Sequence, residues 1–128
     1  MSIHPIQPGQ LVRASYKTGD YIGEVVEISP SGKAAVQIRA VVKHPEQGDL
    51  HNPMDPDVPF FHERRALAHR EIALMPMHTV SPYQGEVPEY KQSLDDALQR
   101  EIDRLDRLRR WAERGLTELE KLRNDYNK

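Results

Sequence analysis

The sequence predicts an α+β chain: a small antiparallel β-barrel, most economically of the SH3-like type, over residues 1–90, then a C-terminal helical extension over 91–128. Two periodicities and one change in composition predict it. Apolar residues alternate at period two in the first part and recur every three or four residues in the second. All ten prolines and six of the seven glycines precede residue 89, and from Lys91 onward only Gly115 interrupts the pattern.

Leu11–Tyr16 supplies a first strand, and KTGD makes a tight link to the next. In the second strand Ile22, Glu24, Val26 and Ile28 oppose Tyr21, Gly23, Val25 and Glu27, so both faces are largely apolar. SPSGK then turns the chain into a third strand, with Val36, Ile38, Ala40 and Val42 on one face and Gln37, Arg39 and Lys43 on the other. Residues 44–61, HPEQGDLHNPMDPDVPFF, hold four prolines and four acids and form a long loop. Phe60 and Phe61 are the only phenylalanines, and at least one is expected to plug the barrel mouth. Ala66–Leu74 alternates again, with Ala68, Ile72 and Leu74 on the inner face, and Met77–Val80 gives a last short strand. Closure into a barrel would remove the two edges of such a sheet.

The helical part opens at Ser93-x-x-Asp96, where the serine hydroxyl is placed to cap a free backbone N–H. Leu94, Leu98, Ile102, Leu105, Ala112, Leu116, Leu119 and Tyr126 form one stripe. Asp96–Arg100, Asp103–Arg107 and Asp106–Arg110 are acid-first pairs four residues apart. The segment is either one helix of about 35 residues, about 50 Å long, or two helices folded back on each other. Leu108, Trp111 and Leu122 lie partly off the stripe and Gly115 precedes a second Thr-x-x-Glu start, which favours a break within 107–116. A continuous amphipathic helix would instead make a homodimer.

Charge excludes whole classes of partner. Lys+Arg 18 against Asp+Glu 20 leaves a net charge of −2, and residues 1–90 carry more acids than bases. Phosphate contacts need a positive surface, so no nucleic acid is expected. The Arg104, Arg107, Arg109, Arg110 and Arg114 run is interleaved with Asp103, Asp106 and Glu113, the pattern of a solvated helix face. With no cysteine there are no disulfides, thiolate metal sites, cysteine nucleophiles or acylated cysteines. MSIHPIQPGQ lacks a basic start and an apolar run, and no window nears the roughly 20 apolar residues of a spanning helix. A soluble, cytoplasmic chain without direct membrane insertion is expected.

The densest chemistry is PFFHERRALAHRE, residues 59–71. His44, His51, His62 and His69 fall in two pairs with six residues between the members, near Asp49, Asp55, Asp57 and Glu63. Neither spacing suits zinc, so no metal is expected. FHERRAL is superficially like the phosphoacceptor box of histidine kinases with His62 as acceptor. It follows a Pro-rich loop instead of lying on a helix, and Ala66-Leu67 replaces the box's Thr-Pro. Glu63 or Asp49 with His62 could make an acid–base pair, but no G-x-S-x-G, P-loop or G-x-G-x-x-G accompanies it. Neither catalytic residues nor a cofactor are expected.

YKTGDYIGEV, VVKHPEQGDLHN, VPFFHERRALAHRE and Tyr83–Tyr90 (Y-x-G-E-V-P-E-Y), in this order and spacing, resemble kinase-associated protein B of endospore-forming bacteria, from about Gly9 to Tyr126. The resemblance implies a non-enzymatic accessory protein that binds a membrane sensor histidine kinase feeding the sporulation phosphorelay. It implies antiparallel β-structure followed by a helical region. Some members are called lipoproteins; without a cysteine that label does not carry over, and membrane location would come through the kinase. The family supplies no catalytic residues. Partner binding is therefore assigned from the pattern to His44, Asp49, His51, Phe61, His62, Glu63, Arg64 and Arg65, since Arg and aromatic groups dominate interface energetics. The helical tail is the second candidate surface, for self-association or for packing on kinase helices. The alternative function is a small-barrel nucleic-acid-binding module.

Overall fold

The computed structural model describes residues 5–128, so the reading of MSIHPIQPGQ falls partly on residues 1–4, outside the described residues. Among these residues the elements are β1 (Leu11–Tyr16), β2 (Gly19–Ser29), β3 (Lys33–Lys43), β4 (Ile72–Pro76), β5 (Ser81–Pro82) and one helix, α1 (Tyr90–Tyr126). The strands form one antiparallel sheet in the order β4-β3-β2-β1-β5.

That sheet corrects the expected barrel. It coils until β1 and β4 approach each other, but β4 and β5 lie at opposite edges of its hydrogen-bonded order. Both edge strands are short and end on proline, Pro76 and Pro82, which has no N–H to extend a ladder. The coil comes from β2 and β3, whose pairing shifts register three times. Gly23 sits at one shift, where a Cβ would run into the Gln37 carbonyl oxygen and Val36 Cγ1.

The core gathers Val12, Ala14, Tyr21, Val25, Val36, Ile38 and Met75. Phe60 and Phe61 do not plug it: they are 73% and 62% exposed. Leu67 takes the inner position instead, its backbone held by two tyrosines. Its N–H donates to the Tyr21 hydroxyl at 3.2 Å, and its carbonyl accepts from the Tyr90 hydroxyl. Burial raises the pKa of both phenols.

The phase of β4 is also opposite to expectation. Ala73 and Met75 are buried while Ile72 and Leu74 are each 53% exposed. A turn at 68–71, with Arg70 at φ 70, sets the register before the strand begins. Arg70 N–H donates to the Ile38 carbonyl at 2.8 Å and Ile38 N–H donates to the Glu71 carbonyl at 2.9 Å, which puts Ala73 opposite Val36. Met77–Thr79 is a 3-10 turn rather than a strand.

α1 is one helix of 37 residues and does not break at 107–116. Ion pairs cross that stretch: Asp106 accepts from Arg109 at 2.6 Å and Arg110 at 3.0 Å, and Arg109 reaches Glu113 at 3.0 Å. A lone glycine costs about 1 kcal/mol relative to alanine, too little to stop a helix otherwise rich in helix formers. The helix starts three residues before Ser93, with Glu89 at the N-cap position. Ser93 therefore does not cap. Its Oγ donates to the Tyr90 carbonyl at 2.7 Å and accepts Val41 N–H of β3 at 3.0 Å. Arg100, expected to pair with Asp96, donates to the Val42 carbonyl at 2.8 Å. Small residues make the close approach possible, since α1 buries Ser93 and Ala97 on the sheet.

Candidate functional site

The loop after β3 is held at its two ends by polar contacts to backbone. Glu46 N–H donates to Thr18 Oγ1 at 2.8 Å. Segments 46–48 and 62–64 then run side by side. Gly48 N–H donates to the His62 carbonyl at 2.9 Å, Arg64 N–H to Gln47 Oε1 at 2.7 Å, and Gln47 Nε2 to the Arg64 carbonyl at 2.9 Å. The Arg64 guanidinium turns inward, donating to the Glu46 carbonyl at 3.2 Å and to the Gly48 carbonyl. A cation spent on backbone carbonyls fixes the loop. Gly48, at φ +99, lies against the Phe61 ring, 2.9 Å from where its Cβ would be.

The remaining predicted residues divide between structure and surface. His44 is half-buried, with Nδ1 3.0 Å from the Pro45 carbonyl oxygen. Asp49 closes a turn: it accepts from the Asn52 amide at 3.1 Å and from His51 N–H at 2.9 Å, and these bonds hold its carboxyl below the usual carboxylate range. His51, His62, Glu63 and Arg65 are exposed. His62 stacks on Phe60 with ring centroids 6.1 Å apart. His69 goes elsewhere, onto Tyr90 at 5.3 Å. Among the described residues no three histidine or acidic side chains converge as metal ligands.

Two features lay outside the predicted set. One is Phe60, not among the residues assigned to partner binding and found on the surface beside His62. The other is a groove of about 670 Å³ between the loop and α1. Leu50, Met54 and Phe61 line one wall and Leu105, Leu108 and Ala112 the other. The helical stripe signalled that second wall, but sequence spacing does not say which part of a helix leaves the sheet. Chemically the region offers an exposed aromatic–histidine pair and two flanking charges on a fixed loop, and an apolar groove between that loop and α1. Exposed aromatic and arginine side chains beside an apolar patch are features common in protein interfaces.

Comparison with known proteins gives a family. The family model described as Kinase associated protein B matches residues 16–127. The chain is 46% identical over 121 residues to Kinase-associated lipoprotein B of Bacillus subtilis (strain 168), covering 94% of each chain. It is similar to the X-ray crystal structure of kinase-associated protein B from Bacillus cereus, with a TM-score of 0.68 and 38% identity, covering 97% of this chain and 100% of that one. No helix of the described residues is long and apolar enough to cross a membrane.

Proposed function

The chain belongs to the kinase-associated protein B family, and from that premise we propose that it is a non-enzymatic accessory protein that binds a sensor histidine kinase of the sporulation phosphorelay. The family name supports a kinase-associated role. The observation that carries the finer reading is the pinned junction: Arg64 and Gln47 lock the loop while Phe60, His62, Glu63 and Arg65 stay outside. A preformed surface binds without first losing loop entropy. Arg65 and the Phe60–His62 pair are the proposed anchors, with His51 and Glu63 beside them. His44, Asp49, Phe61 and Arg64 serve this surface by shaping the loop beneath it. Self-association through α1 belongs to the same reading, because Leu116 and Leu119 leave its outer stripe uncovered. Any place at the membrane comes through the kinase.

The test is calorimetric titration of the purified chain with the cytoplasmic region of a sensor histidine kinase from the same organism. Phe60→Ala/Arg65→Ala should weaken binding by about 2 kcal/mol, roughly thirtyfold, if both are anchors. Undiminished affinity would move the interface off this junction. No heat of binding with any such kinase would remove the reading.

A further inference from the structure

The turn between β1 and β2 carries a strained residue. Tyr16 pairs with Gly19, so Lys17 and Thr18 make a two-residue turn, and Lys17 sits at φ 54. Glycine is the usual residue where such a turn needs a positive φ. A lysine held there costs backbone strain, and strain of this kind gathers at functional sites. The fold also places the ammonium: Lys17 Nζ lies 5.5 Å from the centroid of the Tyr16 ring, within reach of a cation–π attraction. Thr18 Oγ1 accepts Glu46 N–H at 2.8 Å, which ties the turn to the loop after β3.

Turn and loop enclose a cavity of about 200 Å³ lined by Tyr16, Lys17, Tyr21, Pro45, Arg64 and Arg65. Half of these residues are cations and none is an acid, in a chain whose net charge is −2. Among the described residues none of the three cations makes an ion pair, and Glu46 in the adjoining loop pairs instead with Lys43 at 3.6 Å. Arg64 spends only Nη1 on the Glu46 and Gly48 carbonyls; its Nε and Nη2 have no partner among the described residues and stay open to solvent. Those two bonds hold the guanidinium in place, so one of the three cations is oriented before any ligand arrives.

We propose that this cavity binds the phosphoryl group of a phosphate monoester, with Lys17, Arg64 and Arg65 on its oxygens. The space admits a small oxyanion: it is several times the roughly 30 Å³ of a water molecule and below the roughly 300 Å³ of a pocket for drug-sized ligands. Charge selects the class. A carboxylate has two oxygens and one charge, which a single guanidinium fork satisfies. A monoester carries close to two charges at neutral pH on three acceptor oxygens, one for each cation here. Its carrier is a free small molecule or a phosphorylated side chain, and both present the same group. The cavity shares Arg65 with the proposed kinase-binding surface, but its occupation requires no kinase.

Titration of isotope-labelled chain with inorganic phosphate, followed by NMR at constant ionic strength, tests the cavity. Saturable shifts should appear at the Tyr16, Lys17, Arg64 and Arg65 amides with a dissociation constant of about 1 mM. Equal shifts with acetate or chloride, or shifts spread to exposed Lys33, would overturn the site. Arg65→Gln should weaken phosphate about tenfold, while Lys33→Gln, the same loss of charge on another turn, should change it by less than about twofold. Lys17→Gly should weaken phosphate about tenfold as well yet melt no lower than the wild type, since glycine relieves the positive φ. Wild-type affinity in either Arg65→Gln or Lys17→Gly would overturn the assignment. Adenosine monophosphate and a short peptide with one phosphoserine then separate the two carriers: the one that binds more tightly than inorganic phosphate names the source. Binding of inorganic phosphate with neither carrier admitted would overturn the monoester. No probe contains a kinase, so failure here leaves the kinase titration standing, and the reverse holds.

Discussion

Ser93→Ala removes a hydroxyl that joins the helix to the sheet from inside. Ser93 is 5% exposed, and its Oγ accepts Val41 N–H at 3.0 Å. That donor depends on the helix because the β2–β3 pairing steps from Val41 to Lys43, past Val42, and α1 takes up the groups there. Alanine leaves the Val41 N–H buried and unpaired, at a cost of about 1–3 kcal/mol. Alanine's higher helix propensity returns about 0.5 kcal/mol. The expected net loss is about 1–2 kcal/mol, a fall in Tm of about 4–8 °C for a chain of this size. Circular dichroism melts read the global effect, and hydrogen exchange at the Val41 amide reads the local one. A melt unchanged or raised, with Val41 as protected as in the wild type, would refute the reasoning.

Gly23→Ala should cost about 1–3 kcal/mol in urea unfolding, because its Cβ would meet the Gln37 carbonyl and Val36; a neutral result would mean that the bulge can relax. Arg64→Ala removes two bonds to carbonyls from a part-buried guanidinium and should open residues 50–57 to limited proteolysis. Arg65→Ala should leave the digestion pattern and stability within about 0.5 kcal/mol of wild type; equal effects from the two would contradict their assigned roles. The fold lowers the Asp49 pKa through bonds from Asn52 and His51. The contribution of these bonds is therefore present above the ordinary carboxylate value of about 4 and lost as pH falls through the lower folded value. NMR shifts of the His51 and Asn52 amides should titrate below about pH 4, and a midpoint above it would contradict the turn.

The sheet was legible where one face is plainly apolar. β1 and β3 follow from their alternation because each has a face that must be buried, while β2 reads as apolar on both faces. β4 was not, because in IALM both alternating sets are apolar and the turn at Arg70, not the side chains, selects Ala73 and Met75. The barrel failed on two features that periodicity does not encode, the shortness of the edge strands and their terminal prolines. At least one of Phe60 and Phe61 was expected inward by type, but with no closed mouth to fill both stay outside. In the tail, Gly115 and the off-stripe leucines looked like a break, whereas the Asp106–Arg109–Glu113 pairs carry the helix through. At the candidate site the sequence pattern does not reveal the division of labour within the junction. Arg64 and Arg65 are adjacent and identical in chemistry, and only the carbonyls of Glu46 and Gly48 distinguish them.

By the proposed function, this family member works by presenting the pinned junction to a kinase. Titrating isotope-labelled chain with the cytoplasmic region of a sensor histidine kinase, followed by NMR, tests it most directly. Saturable shifts are expected at His51 and from Phe60 to Arg65, with the β1–β2 amides unmoved. No shifts with the kinase, or a response only to RNA that fades steeply with added salt, would contradict it.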